Sequence, residues 1–280
     1  MHNREVYQKD PAARKLVNEG VASVNDEKMA VLRYELETFV CDGQYEKGLE
    51  HILETYLKNL DQAQQPAVWV SGFYGSGKTH LVKMLRALWV DSTFEDGATA
   101  RSIANLPEKI MDRLIELSTQ GKRLGGLHAV SGTLGSGASG SVRLALLGII
   151  FKSVGLSEKY PIARFVMWLQ SEGIYKKVRE IVEQKGYNWQ EELDNFQVGE
   201  GIYEALCQLK PTIFSPSISA IEILPQLYPN VADVSSEDMI KTIRLALNQN
   251  GTLPLTLIVL DEVQAFIGET TETDWKISEK

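Results

Sequence analysis

The sequence predicts an α/β fold built on a parallel sheet, with helices in front of it and a large helical insertion within it. Three observations lead there. An apolar run, "AVWVSG" at 67–72, passes straight into the glycine loop "SGFYGSGKTH" and then into the helical pattern of "THLVKMLRALWV". A second apolar run, "LTLIVLDEV" at 255–263, ends in two acids before its final valine. Between them lies a long, mostly helical stretch. Strands separated by helices are the pattern of a parallel sheet with helical crossovers.

Residues 1–25 are polar and mixed and read as an irregular lead-in. Asp26 is the expected N-cap of a helix over about 27–41, with Leu32, Leu36, Phe39 and Val40 at helical spacing. Gly43 punctuates, and a second helix over about 45–60 gathers Leu49, Ile52, Leu53, Tyr56, Leu57 and Leu60 on one face. "DQAQQP" at 61–66 is a loop, and the strand, glycine loop and helix follow, the helix turning through Leu81, Met84, Leu85 and Leu88. Residues 106–121 form a helix that opens near Pro107 and stops at Gly121. "LGGLHAV" at 124–130 is a further strand. It leads into "SGTLGSGASGS" at 131–141 and a helix from Val142. Successive helices then run to about 250, separated at Gly173 and Gly186, the last capped by Ser235 or Ser236 and stopped by Gly251. The expected organisation is a helical lead-in at 1–65, the first part of an ATPase core at 66–141, a helical insertion at 142–252 and the acid strand at 253–280.

Composition narrows the function classes. The chain has 280 residues, 44% of them hydrophobic and 24% charged, enough for a substantial core. A net charge of -8 argues against a surface devoted wholly to nucleic acid and leaves room for a local basic patch. Cys41 and Cys207, each in an apolar helical pattern, read as reduced core thiols rather than a metal or redox pair. The first residues are too charged for a signal peptide, and no apolar run reaches the roughly 18 residues of a membrane span. The expectation is a cytoplasmic protein without a membrane partner.

The chemistry is concentrated in two motifs. "GFYGSGKT" at 72–79 satisfies G-x-x-x-x-G-K-[ST], the phosphate loop of P-loop NTPases. Polyphosphate oxygens need several backbone N–H groups at once, and Gly72, Gly75 and Gly77, with Ser76 between the last two, let the main chain curl tightly enough to supply them. Lys78 is the point charge for the β- and γ-phosphates. The Thr79 hydroxyl is a ligand for Mg²⁺, and the helix start adds its positive dipole end. His80, on the first turn, is counted with the ATP-binding residues and reads as a packing or capping histidine rather than a catalyst. "LIVLDE" at 257–262 is the partner motif. An acid at the C-terminal end of a strand comes to the ligand side of an open α/β sheet. Asp261 is then the Mg²⁺ carboxylate, and Glu262 the residue that orients or deprotonates the attacking water. Adjacent Asp-Glu points to the ASCE, AAA+-like branch of P-loop NTPases, which has an extra strand between the loop strand and the acid strand; 124–130 is the candidate. The core looks incomplete at its C-terminus, as the front part of a longer protein.

"VWVSGFYGSGKTHLVKML", "LRYELETFV" and "LTLIVLDEVQAFIG" together resemble the N-terminal region of the large P-loop ATPases of bacteriophage-exclusion (BREX) systems, the BrxC/PglY type. The resemblance covers most of 15–270. It implies an AAA+-like ATPase in anti-phage defence, acting beside a DNA methyltransferase and other BREX components, with DNA as a possible contact and a homo-oligomer as the full-length form. The family role carries over for Gly72, Gly75, Gly77, Lys78, Thr79, Asp261 and Glu262. Two other readings stand beside it: a nucleotide-gated scaffold with little hydrolysis, and a DNA-loading ATPase outside defence.

Smaller signals have plainer readings. Gln264 is either a γ-phosphate reader or a polar loop residue. Arg143 reads as a solvated arginine rather than a phosphate or DNA contact, and Trp69 as a core residue. "SGTLGSGASGS" contains no Gly-Lys-[Ser/Thr] and reads as a connection into the helical insertion, not a second triphosphate site.

Overall fold

The computed structural model describes residues 28–62, 64–134, 141–217, 219–248 and 251–263. Among these residues there are twelve helices and two strands, which divide between two compact units. The fold is mixed, mostly helical, with a small parallel sheet. The expected Asp26 cap, Gln264 and the middle of the second glycine stretch lie outside the described residues.

The first unit takes the described residues up to Thr133 together with Pro254–Asp261. It contains α1 (Met29–Thr38), α2 (Gly43–Lys58), α3 (Lys78–Val90), α4 (Ala100–Ile103), α5 (Glu108–Arg123), β1 (Leu127–Thr133) and β2 (Leu255–Asp261). β1 and β2 pair in parallel, in a register running from Leu127↔Leu255 to Thr133↔Asp261. Parallel neighbours cannot be joined by a hairpin and need a crossover, here the whole intervening helical stretch. α3 packs on both strands, and α2 packs on α5. Their common core includes Leu36, Leu49, Leu53, Met84, Leu88, Trp89, Ile110, Leu114, Leu117 and Leu255.

Three polar arrangements brace this core. The indole Nε1 of Trp89 donates to the Leu255 carbonyl at 3.1 Å, tying the end of α3 to the start of β2. The buried guanidinium of Arg101 donates to the carbonyls of Leu88, Trp89 and Leu114 and to the Ser118 hydroxyl. It thereby satisfies last-turn carbonyls of α3 that have no partner within the helix. Lys83 Nζ lies 2.6 Å from Glu35 Oε2, and both side chains are almost wholly buried between α3 and α1.

The second unit takes Leu134–Leu253 and the described residues from Glu262 on. Its helices are α6 (Val142–Ser153), α7 (Tyr160–Ser171), α8 (Tyr175–Gln184), α9 (Trp189–Asp194), α10 (Glu200–Leu209), α11 (Ala220–Leu227) and α12 (Ser236–Leu247). An aromatic cluster forms its centre. Phe165 stacks on Phe196 at 4.6 Å between ring centroids, and Tyr228 meets Phe165 edge-on at 5.4 Å. Caps fix the helix starts: the side chains of Ser141, Asn188 and Ser235 accept from first-turn amides of α6, α9 and α12. Arg143 is paired with Asp233, which also accepts from the Ser141 hydroxyl. These contacts hold the Asp233 carboxyl well below the usual range, the arginine hydrogen bond being the largest cause.

Several expectations are corrected. Residues 67–72 are not a strand: nothing among the described residues pairs with them, and Trp69, expected in the core, is 69% exposed. An extended segment without a ladder partner has neither the hydrogen bonds nor the cover that make a buried strand. The strand expected at 124–130 begins three residues later, after Gly125 and Gly126, and pairs with the acid strand only. Val40 is exposed because α1 ends at Thr38, so it leaves the helical stripe. Gly121 lies inside α5 rather than closing it. The single-turn α4 and the Pro225-containing α11 have no counterpart in the periodicity. Both cysteines are free, as expected, and burial pushes the Cys41 thiol up to about 11. Among the described residues, no helix is long and apolar enough to cross a membrane.

The Glu35–Lys83 pair gives a direct test of the packing. Lys83→Met strands a buried carboxylate and should cost about 3–5 kcal/mol in denaturant unfolding, whereas Glu35→Leu with Lys83→Met should recover most of that loss.

Candidate functional site

The glycine loop sits between an extended segment and α3, and its shape follows from its residues. Gly75 and Gly77 have φ of +77° and +80°, the left-handed region that glycine enters without penalty. A tight turn at the tip is closed by the Ser76 amide donating to the Phe73 carbonyl at 3.1 Å. Gly77 is the N-cap of α3, and no side chain caps that first turn. Its leading amides are thus available to an anion, where the helix dipole also favours negative charge.

Space is as restrictive as dihedral angle. A Cβ on Gly72 would lie 2.7 Å from Ser76 Oγ. A Cβ on Gly77 would land on the Tyr45 hydroxyl oxygen. Lys78 folds back across the loop, its Nζ donating to the carbonyls of Gly72 at 2.8 Å and Phe73 at 2.9 Å. Phe73 and Tyr74 project from the tip and are almost fully exposed.

Thr79 connects this loop to the acid strand. Its hydroxyl donates to Asp261 Oδ2 at 3.0 Å, across 182 positions of sequence. The contact forms because Asp261 is the last residue of β2 and Thr79 lies in the first turn of α3, which packs on that strand. The expected residues Gly72, Gly75, Ser76, Gly77, Lys78, Thr79 and Asp261 therefore gather at one place. Glu262 follows directly in the chain; it is exposed and has a left-handed φ of +55°. A non-glycine residue there carries about 1–2 kcal/mol of strain.

His80 has a different role from its neighbours. Its ring packs edge-on against Phe39 at 5.6 Å. Burial pushes its pKa below the ordinary histidine value, with Glu35 opposing and Lys83 reinforcing the shift. The imidazole is a packing group of the α1–α3 contact.

The donor set fits a hard divalent cation. A hydroxyl and a carboxylate oxygen are the ligands such ions take, the remaining positions going to phosphate oxygens and water. Among the described residues, no group of three or more His, Cys, Asp or Glu side chains could hold a metal by itself. The helical unit has its own cavity of about 650 Å³, lined by Arg164, Trp168, Phe214, Tyr228 and other side chains. It is mostly aromatic and aliphatic and contains none of the motif residues. The chemistry-bearing residues gather at the glycine loop instead.

Sequence reasoning missed Tyr45. Its hydroxyl donates to the Ser76 carbonyl at 2.9 Å, and no periodicity links position 45 to position 76. It also missed Glu35 and Lys83, whose burial comes from the packing of α1 against α3. No protein-family model matches the chain, and no solved structure matches it.

Gly77→Ala combines positive φ with a clash against Tyr45. It should lower stability by about 1–3 kcal/mol in chemical unfolding. Tyr45→Ala in the same chain should relieve the clash but leave the dihedral penalty. His80 gives a pH test. Its folded pKa is depressed, so its contribution is complete above the unfolded value of about 6.5 and is lost as pH falls through the folded value. The unfolding midpoint should drop as pH falls below about 6.5, and His80→Phe should reduce that drop.

Proposed function

We propose that this chain is the nucleotide module of a P-loop NTPase of the ASCE, AAA+-like kind, binding ATP with Mg²⁺ and hydrolysing it. The observation that supports this most is the Thr79–Asp261 hydrogen bond. It joins the two motifs that an ATP site requires, the loop for the phosphates and the acid for the cation, from distant parts of the sequence.

The residues divide the work. The glycines and the first-turn amides of α3 receive phosphate oxygens, and Lys78 exchanges its two loop carbonyls for the β- and γ-phosphates. Thr79 and Asp261 would hold Mg²⁺, which would supply positive charge beside the phosphates. Glu262 orients the attacking water and accepts its proton. The sequence resemblance to BREX ATPases extends the proposal to anti-phage defence in the cytoplasm, within a homo-oligomer and alongside DNA and a DNA methyltransferase.

The test is Mg-ATP binding by calorimetry together with phosphate release. Lys78→Ala should weaken binding by roughly a hundredfold, the loss of a charge-assisted contact at a phosphate. Glu262→Gln should keep the affinity and lower turnover by roughly 10²–10⁴-fold. A wild-type chain that does not bind Mg-ATP refutes the reading. Binding without turnover reduces it to a nucleotide-gated scaffold.

A further inference from the structure

We infer that Tyr45 is a positioning residue for the phosphate loop, fixing the peptide between Ser76 and Gly77 so that the Gly77 N–H faces the bound phosphates. This rests on the reading of the loop as an ATP site. The Tyr45 hydroxyl donates to the Ser76 carbonyl at 2.9 Å. No peptide bond among the described residues is cis, and a planar trans peptide directs its C=O and N–H to opposite sides. A carbonyl held toward Tyr45 on α2 therefore turns the Gly77 N–H away from α2. If that peptide rotated, the site would lose a donor and gain a carbonyl oxygen facing an anion. The adjacent glycine makes such a rotation easy, since φ of +80° is one of many conformations open to it. The hydroxyl removes that freedom.

Tyr45 is itself held in place. Its ring meets Phe39 edge-on at 6.2 Å, and Phe39 in turn meets His80 on the first turn of α3 at 5.6 Å. The aromatic row thus touches the loop on both sides of Lys78, at Ser76 and at His80. The absence of a Cβ at Gly77 is what lets the tyrosine oxygen come this close.

The experiment compares Mg-ATP with inorganic tripolyphosphate, which has the phosphates but no base, on wild type, Tyr45→Phe and Lys78→Ala. Tyr45→Phe should weaken both ligands by about the same factor, roughly tenfold, at an unchanged melting temperature. A general structural defect would not give equal losses at unchanged stability. Phe39→Leu loosens the same ring contact but keeps the hydroxyl, and should lose less tripolyphosphate affinity than Tyr45→Phe. The inference is overturned if Tyr45→Phe binds both ligands like wild type, or if Phe39→Leu loses as much as Tyr45→Phe. In either case Lys78→Ala separates the two levels. Its loss of binding keeps the ATP-site reading, and its retention of binding refutes that reading and the inference with it.

Discussion

The parallel ladder between β1 and β2 is the constraint on which the rest of the first unit depends. Side chains alternate along a strand with period two, so a slip of one residue would move Asp261 to the opposite face. β2 is itself held at both ends by α3. Trp89 bonds the Leu255 carbonyl at one end, and Thr79 bonds the Asp261 carboxylate at the other. The two hydrogen bonds thereby fix the translation of α3 along the strand, and with it the distance from the glycine loop to the acid.

The helices before the loop are supports rather than a detached lead-in. α1 reaches α3 through the Glu35–Lys83 pair and the Phe39–His80 contact, and α2 reaches the loop through Tyr45. The buried ion pair contributes less to net stability than to uniqueness. Removing two charges from water costs several kcal/mol, which a good contact largely offsets, while any other seating of α1 would leave both charges unpaired. Beside the loop, where a small displacement would misdirect several amides, a fixed seating is the useful property.

Much of the site was legible because its chemistry is written in contiguous motifs. The glycine loop, Lys78 and Thr79 occupy one short stretch, and the acids close one apolar run. The helical unit was legible through its glycine stops and serine caps. What was not legible depends on partners far away in sequence. "AVWVSG" has the composition of a buried strand, yet pairing and cover decide that state, and Trp69 has neither among the described residues. Val40 fits the stripe of α1, but that helix stops two residues before it. Pro225 reads as a breaker, although α11 accommodates it. Tyr45 looks like one more amphipathic-helix tyrosine until Ser76 is found beneath its hydroxyl.

The crossover between β1 and β2 also has a consequence in time. A ribosome adds about 5–20 residues per second, so the loop threonine is made roughly ten to forty seconds before the aspartate it will bond. Until β2 is made, β1 lacks its ladder partner and α3 lacks its two hydrogen bonds to that strand. The helices α6 to α12, all made within the same interval and closed around their own aromatic centre, can fold first. They then shorten the effective loop that must close before the acid strand docks. On this order of events, the glycine loop and the acid strand come together only after the intervening helices have folded.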